Sequence, residues 1–140
     1  MHEGTLTRNL EWQEPDGRRT SVTQRRFVSM KDEHLAGLET TFRAENWSGR
    51  LEVRSGIDGR VANTGVKRYR DLYSHHLDLL GAAELDKETV DLQVETNQSH
   101  VRIALAARTR VVGEGAVDPI DRRLTEEPGF IAHDPPPSAT

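Results

Sequence analysis

Cysteine is absent from the 140 residues of this chain. A disulfide framework, a zinc–thiolate site and a thiol nucleophile are therefore all excluded. Long apolar runs are also lacking: the N-terminus shows no apolar core of a secretion signal, and no stretch is long enough to span a bilayer as a helix. We expect a cytoplasmic protein that makes no membrane contact and holds its fold by packing alone.

Apolar and aromatic residues are few. They make up 34% and 5% of the chain, whereas charged residues make up 30%. Such a composition supports only a thin core, so most strands must keep one face in water, as a two-layer sheet allows. The net charge of −4, with arginines interleaved among acids, argues against a nucleic-acid binder or a membrane-surface binder. The length fits one domain or a fragment of one.

Alternating apolar and polar residues predict the first strands. Residues 5–12 alternate with a period of two, which is typical of a half-buried strand and places Trp12 on the apolar side. The turn signal at residues 14–17 contains proline and glycine and should reverse the chain into a second strand at about 19–28. The alternation shifts near Phe27, which predicts a bulge or an edge position there.

The same alternation continues further along the chain. Residues 34–43 and 51–57 read as two strands that form another hairpin. Residues 89–96 and 100–111 read as two more strands, joined tightly at 97–99. Short strands with recurring turns and no long helical period predict an all-β protein, an antiparallel β-sandwich.

The C-terminal residues 113–140 break this pattern. They are rich in proline and contain few apolar residues. We expect an irregular or disordered tail, with at most one short strand around Phe130 to His133. The sequence thus divides into a β-sandwich region at 1–112 and a Pro-rich tail at 113–140.

Three segments carry a family resemblance: RRFVSM, ENWSGRLEVRSGIDGRVANTGV and RYRDL. They resemble the N-terminal β-sandwich domain of glycoside hydrolase family 65, which contains maltose, trehalose and kojibiose phosphorylases and related hydrolases. The resemblance runs from about Gly4 to about Val112. It implies a galactose-mutarotase-like super-sandwich, of which this chain is expected to be an incomplete portion with some unpaired strand edges.

The resemblance also implies a function. In the family, the reaction takes place in a separate (α/α) barrel, where a glutamate acts as general acid and phosphate or water attacks. The chain is therefore expected to contain no catalytic residue and no cofactor, and to pack against that barrel and support it, with a homo-oligomer as a further possible assembly. The polar, glycine-containing loop from Asp58 to Tyr69 is the expected contact with the barrel, and the candidate residues are Asp58, Arg60, Asn63, Arg68 and Tyr69.

The residues also suggest two other chemistries, a glycosidase acid pair and a metal site. Glu52 and Asp58 could be read as the acid pair of a glycosidase, but Glu52 lies on the polar face of a strand and Asp58 begins a turn. His75, His76 and Asp78 could be read as metal ligands. Adjacent strand residues point to opposite faces, however, so we expect no metal site.

Sugar binding through an aromatic ring is the remaining hypothesis. Trp47 lies in a turn and is the candidate for an exposed ring that stacks on a sugar, whereas the periodicity places Trp12 in the core. A stand-alone carbohydrate-binding module would need at least two such exposed rings. The alternatives to a supporting domain are thus a carbohydrate-binding module and a truncated gene product with no independent function.

Overall fold

The computed structural model describes residues 4–62, 75–113 and 121–135. These residues form strands and turns only, and the strands make three antiparallel sheets, which confirms the predicted all-β antiparallel sandwich class. The chain divides into two compact units, Met1–Leu51 and Glu52–Thr140. The strands are β1 Thr5–Gln13, β2 Arg19–Val28, β3 Ala36–Ala44, β4 Ser55–Asp58, β5 Leu77–Asp86, β6 Thr89–Thr96, β7 Arg102–Arg108, β8 Arg123–Glu127 and β9 Phe130–Asp134.

The first unit is the three-stranded sheet β1-β2-β3. Its first hairpin is the predicted one: the Gly17 N–H donates to the Glu14 carbonyl at 2.9 Å, and Gly17 adopts a φ of 89°. That left-handed conformation suits glycine, which has no Cβ to clash. The turn therefore forms where proline and glycine predicted it.

Strand β2 differs from its predicted role. It is the central strand of its sheet, and its pairing with β1 and β3 continues without a register shift. The predicted bulge or edge position near Phe27 is therefore wrong. Phe27 breaks the alternation only because it is an apolar residue on the polar face of the sheet, opposite Gly37, where a Cβ would lie 2.4 Å from the Phe27 ring.

The predicted hairpin between 34–43 and 51–57 is also wrong. Strand β3 pairs with β2, whereas only residues Ser55–Asp58 of the later segment are a strand, and they pair with β9. The end of β3 is fixed by Asn46, whose side-chain carbonyl accepts the Arg19 N–H at 2.7 Å and whose amide donates to the Gly17 carbonyl at 3.1 Å. These bonds tie the segment after β3 to the first hairpin.

The second unit contains the sheets β5-β6-β7 and β4-β9-β8. Strands β6 and β7 and the tight turn between them are as predicted, with His100 at a φ of 53°. Strand β5 was not predicted. Register shifts between Leu79 and Gly81 and between Glu84 and Asp86 interrupt its pairing with β6, and such irregularities remove the strict alternation that marks a strand in sequence.

The predicted irregular tail is wrong for residues 123–134. They form the hairpin β8–β9, in which β9 contains the short strand predicted around Phe130 to His133. Gly129 turns the hairpin at a φ of 78°. Strand β9 is the central strand of its sheet, so the tail is an integral part of the second unit.

The core of the second unit lies between its two sheets. It consists of Ile57 on β4, Ile131 on β9, and the inward side chains of β6, which are Val90, Leu92 and Val94. Ile131 is fully buried. One apolar cluster thus holds together the two sheets of the second unit.

Candidate functional site

The turn after β4 brings together two of the residues predicted to contact a partner domain. Arg60 donates from Nε to Asp58 Oδ1 at 2.9 Å and from Nη1 to Glu127 Oε2 at 2.7 Å. Its guanidinium carbon lies 4.8 Å from the centroid of the Phe130 ring, and the Gly59 N–H donates to the Gly129 carbonyl at 2.8 Å. We call Asp58, Arg60, Glu127 and Phe130 the Arg60 corner.

Two features fix the geometry of the Arg60 corner. The guanidinium of Arg60 donates to Asp58 through its side chain, and the Arg60 N–H donates as well, so the pKa of Asp58 lies below its usual value. The turn also lies directly on the core, because a Cβ at Gly59 would meet Leu92 at 2.9 Å. The other predicted contact residues, Asn63, Arg68 and Tyr69, lie outside the described residues.

A second arginine also lies near the Phe130 ring. Arg54 pairs through two guanidinium nitrogens with both carboxylate oxygens of Asp134, and its guanidinium carbon is 5.9 Å from the Phe130 centroid. The Thr125 hydroxyl is the largest cause of a lowered pKa at Asp134, and Arg54 lowers it further against the effect of burial. A planar guanidinium and a carboxylate favour this two-bond geometry.

Strand β9 also contributes a buried histidine that the sequence analysis did not single out. His133 is 6% exposed, and its Nε2 lies 2.9 Å from Oε1 of Glu84 on β5. The contact joins the two sheets of the second unit. The sequence gives little sign of this contact, because the two residues lie on strands far apart in the chain. Strand β5 was not predicted, and β9 was predicted only as a short strand within an irregular tail.

Six carboxyl groups of the described residues have a pKa below its usual value. Every clear pKa shift among them is downward, and each such carboxyl accepts hydrogen bonds from neighbouring side chains or N–H groups. Glu88, for example, accepts from Arg108 and Arg110, and Glu95 accepts from His100 and Arg102. The groups are Asp16, Asp58, Asp86, Glu88, Glu95 and Asp134.

The histidine pair considered as a metal site holds a turn through its backbone. Asn97 donates its side-chain amide to the His75 carbonyl and its N–H to the His76 carbonyl, each at 3.0 Å. In the part of the chain that the structure describes, no group of three or more histidine and acidic side chains could hold a metal ion. Over the same residues, no helix has the length and apolar character needed to cross a membrane.

The two tryptophans occupy different environments. Trp47 is half-buried, and its indole N–H donates to Thr20 Oγ1 at 2.9 Å. The guanidinium carbon of Arg18 lies 5.9 Å from the centroid of the Trp47 ring. Sugar stacking at Trp47 stays a prediction. Trp12 is 67% exposed, so the prediction that it packs in the core is wrong. It lies at the end of β1, on a sheet face that the first unit does not cover.

Comparisons with known proteins agree on one family. The family model described as "Glycosyl hydrolase family 65, N-terminal domain" matches residues 1–134, which extends beyond the stretch from Gly4 to Val112 that carries the resemblance in sequence. The match includes the hairpin β8–β9. The family domain therefore covers nearly the whole chain.

Individual relatives point the same way. An uncharacterised glycosyl hydrolase of Mycobacterium tuberculosis is 39% identical over 134 residues, which are 96% of this chain and 10% of the relative. A kojibiose phosphorylase of Halothermothrix orenii is 39% identical over 69 residues, covering 49% of this chain and 9% of the relative. An alpha,alpha-trehalose phosphorylase of Thermoanaerobacter brockii is 35% identical over 63 residues, covering 45% and 8%.

The chain is short beside these proteins: the stretch matched to each of the three covers 10% or less of that protein's length. The family model nevertheless matches residues 1–134 of this chain. This chain belongs to glycoside hydrolase family 65 and matches the family's N-terminal domain.

Proposed function

We propose that this chain is the non-catalytic N-terminal domain, or a portion of it, of an enzyme that phosphorolyses or hydrolyses α-glucosides of the maltose, trehalose or kojibiose type. The observation that carries the proposal is the family match over residues 1–134. Relatives named kojibiose phosphorylase and alpha,alpha-trehalose phosphorylase supply the substrate class. The role of the chain is to pack against the catalytic barrel and support it, and we place it in the cytoplasm.

The electrostatics of the described residues support a non-catalytic role. A glycosidase or phosphorylase needs a general acid that keeps its proton near neutral pH, which requires a raised pKa. The clear carboxyl shifts are all in the other direction, because hydrogen-bond donors such as Arg60 and Arg108 surround these groups. Asp58 and Glu88 therefore serve as ion-pair partners of arginines.

The Arg60 corner is the surface we propose for contact with the barrel. Side-chain exposure is 44% for Arg60 and 49% for Asp58, so both groups can be reached from outside. Arginine and aromatic residues are enriched at protein interfaces. Ion pairs already fix the rotamers of Arg60, so binding costs little further side-chain entropy.

A comparison of two lengths of polypeptide tests this contact. Arg60→Ala removes the internal ion pairs in the chain alone, and in a longer polypeptide that contains the barrel it removes the external contact as well. We expect the loss of thermal stability to be larger in the longer polypeptide. Arg108→Ala is the control, because Arg108 is also held by an internal ion pair, with Glu88 at 2.8 Å, although Arg60 pairs with two acids. Equal losses for Arg60→Ala in the two polypeptides would exclude the corner as the contact.

A further inference from the structure

The sheet of the first unit has one face of unusual composition. Residues paired in register lie on the same face of a sheet, and even-numbered residues of β1, β2 and β3 pair with one another throughout. We call this the even face. Its members are Leu6, Arg8, Leu10, Trp12, Thr20, Val22, Gln24, Arg26, Val28, Ala36, Leu38, Thr40, Phe42 and Ala44.

The even face exposes many large apolar side chains. Trp12 and Leu38, at 67% and 68%, are among the most exposed of them. A contiguous apolar patch on a sheet face is the usual sign of an interaction surface, because water contact with it is unfavourable. The relative exposure is at least 39% for each of Leu6, Leu10, Trp12, Val28, Leu38 and Phe42.

Charge distinguishes the two faces of this sheet. The even face carries two cations, Arg8 and Arg26, and no acidic residue. Within residues 4–62, neither arginine has an ion-pair partner. The acids of these strands, Glu11 and Glu39, lie on the opposite face, where Glu39 pairs with Arg25 at 3.5 Å.

The opposite face, which carries the odd-numbered residues of β1, β2 and β3 and which we call the odd face, has the polar contacts typical of a solvent-exposed sheet. Thr23 donates to the side chain of Asn9 at 3.1 Å, and Ser21 donates to Glu45 at 2.6 Å. Its polar groups therefore satisfy one another locally. The contrast indicates that the even face is adapted to a partner, whereas the odd face is adapted to water.

The charge also selects the kind of partner. In a dimer of two even faces, the arginines of one copy would face those of the other with no acidic residue between them. This repulsion makes a second copy of the chain an unfavourable partner. An anionic membrane would gain only about 1 kcal/mol from each of two arginines, against a chain of net charge −4. An apolar protein surface that carries carboxylates would bury the leucines of the even face and form ion pairs with its two arginines.

We propose that the even face docks onto an apolar, carboxylate-bearing surface in the remainder of the longer family 65 polypeptide. The proposal rests on the proposed function, because it takes this chain to be part of a longer enzyme. It adds a second contact, made by the first unit, to the one proposed for the Arg60 corner. Arg8 and Arg26 form ion pairs across this contact, and Leu38 and Trp12 lie within it.

Thiol accessibility tests the docking directly, because the chain contains no cysteine of its own. Leu38→Cys places a thiol on the even face, and Thr41→Cys places one on the odd face of the same strand. We expect Leu38→Cys to react at least roughly tenfold more slowly in the longer polypeptide than in the 140-residue chain, because a docked face is reached only when it opens. Thr41→Cys should react equally in both.

Equal reaction of Leu38→Cys in both polypeptides would overturn the proposal. So would protection already present in the 140-residue chain, since the face would then be covered without the rest of the enzyme. Peptide-level mass spectrometry separates the introduced thiol from any cysteine of the longer polypeptide. A longer polypeptide without glycosidase or phosphorylase activity would refute the proposed function, whereas the protection of Leu38→Cys would still report the docking.

Charge reversal tests the chemistry of the partner. Arg26→Glu and Arg25→Glu are adjacent changes on opposite faces. We expect Arg26→Glu to raise the reactivity of Leu38→Cys in the longer polypeptide several-fold, Arg26→Lys to preserve its protection, and Arg25→Glu to leave it unchanged. Equal effects of Arg25→Glu and Arg26→Glu would contradict the proposal, and binding to phosphatidylglycerol vesicles that Arg26→Glu abolishes would favour a membrane instead.

Discussion

His133 on β9 and Glu84 on β5 meet across the two sheets of the second unit, with Nε2 of the imidazole 2.9 Å from a carboxylate oxygen. A carboxylate accepts hydrogen bonds, so Nε2 carries the proton and donates it. The imidazole is 6% exposed. The contact therefore satisfies a polar group that the sandwich would otherwise bury without a partner.

Loss of this contact should destabilise the chain. Glu84→Leu leaves the imidazole donor unsatisfied, and we expect a loss of about 1 to 3 kcal/mol in the free energy of unfolding. Glu84→Gln keeps an acceptor and should cost less. Glu126→Gln, on the exposed part of β8, is the control and should change little. Urea unfolding measures all three, and a Glu84→Leu variant as stable as the Glu126→Gln control would contradict this role.

Asp134 should contribute to stability in a pH-dependent way. Its pKa is lowered in the folded chain by Thr125 and by Arg54, so its contribution is present above the unfolded pKa near 3.8 and is lost as the pH falls through the folded pKa. We expect Asp134→Asn to be less stable than the native chain at pH 6, with a smaller difference at pH 2 to 3. Asp121→Asn, on an exposed position before β8, is the control. A difference for Asp134→Asn that does not shrink at low pH would contradict the assignment.

The last hairpin should be essential to the second unit. Ile131 is fully buried in the apolar cluster, and we expect Ile131→Ala to cost about 2 to 5 kcal/mol of unfolding free energy. Leu124 on β8 is 37% exposed, so Leu124→Ala should cost clearly less. Chemical denaturation gives both values. An Ile131→Ala variant with nearly native stability would show that β9 is dispensable and the tail is peripheral.

Trp47 should stabilise the first unit rather than bind sugar. Its indole N–H donates to Thr20 Oγ1, so we expect Trp47→Phe to cost about 1 kcal/mol. Titration calorimetry of the chain with maltose or glucose at millimolar concentration should show no saturable heat. A clear binding isotherm that Trp47→Phe weakens would support the carbohydrate-binding module instead.

Much of the fold could be predicted from local patterns. The turn at residues 14–17 and the alternation of β6 and β7 depend on neighbouring residues, which the sequence displays directly. The failures involve irregular or distant pairing. Strand β5 contains two register shifts. Strand β4 pairs with β9, which lies far along the sequence near the end of the second unit.

The candidate site shows the same division. The turn at Asp58 and Arg60 was predictable from its aspartate and glycine. Its partners Glu127 and Phe130 were not, because they lie in a proline-rich segment that gives little local strand signal, and β9 pairs with the distant strand β4. A buried His133 beside Glu84 was likewise hidden, since no local pattern joins residues on two separate sheets.

The even face explains one further failure. Its alternation correctly predicted strands, but a period of two shows only that one face differs from the other, not that the apolar face is covered. Trp12 was therefore assigned to a core that the first unit does not supply.

Disaccharide turnover by the chain and by a longer polypeptide that contains it tests the central claim most directly. Glucose and glucose 1-phosphate release from maltose, trehalose and kojibiose is measured with and without phosphate. The account predicts no release by the 140-residue chain and release by the longer polypeptide, because it assigns the general acid to the rest of that polypeptide. Release by the 140-residue chain that a single Asp→Asn or Glu→Gln substitution abolishes would contradict it.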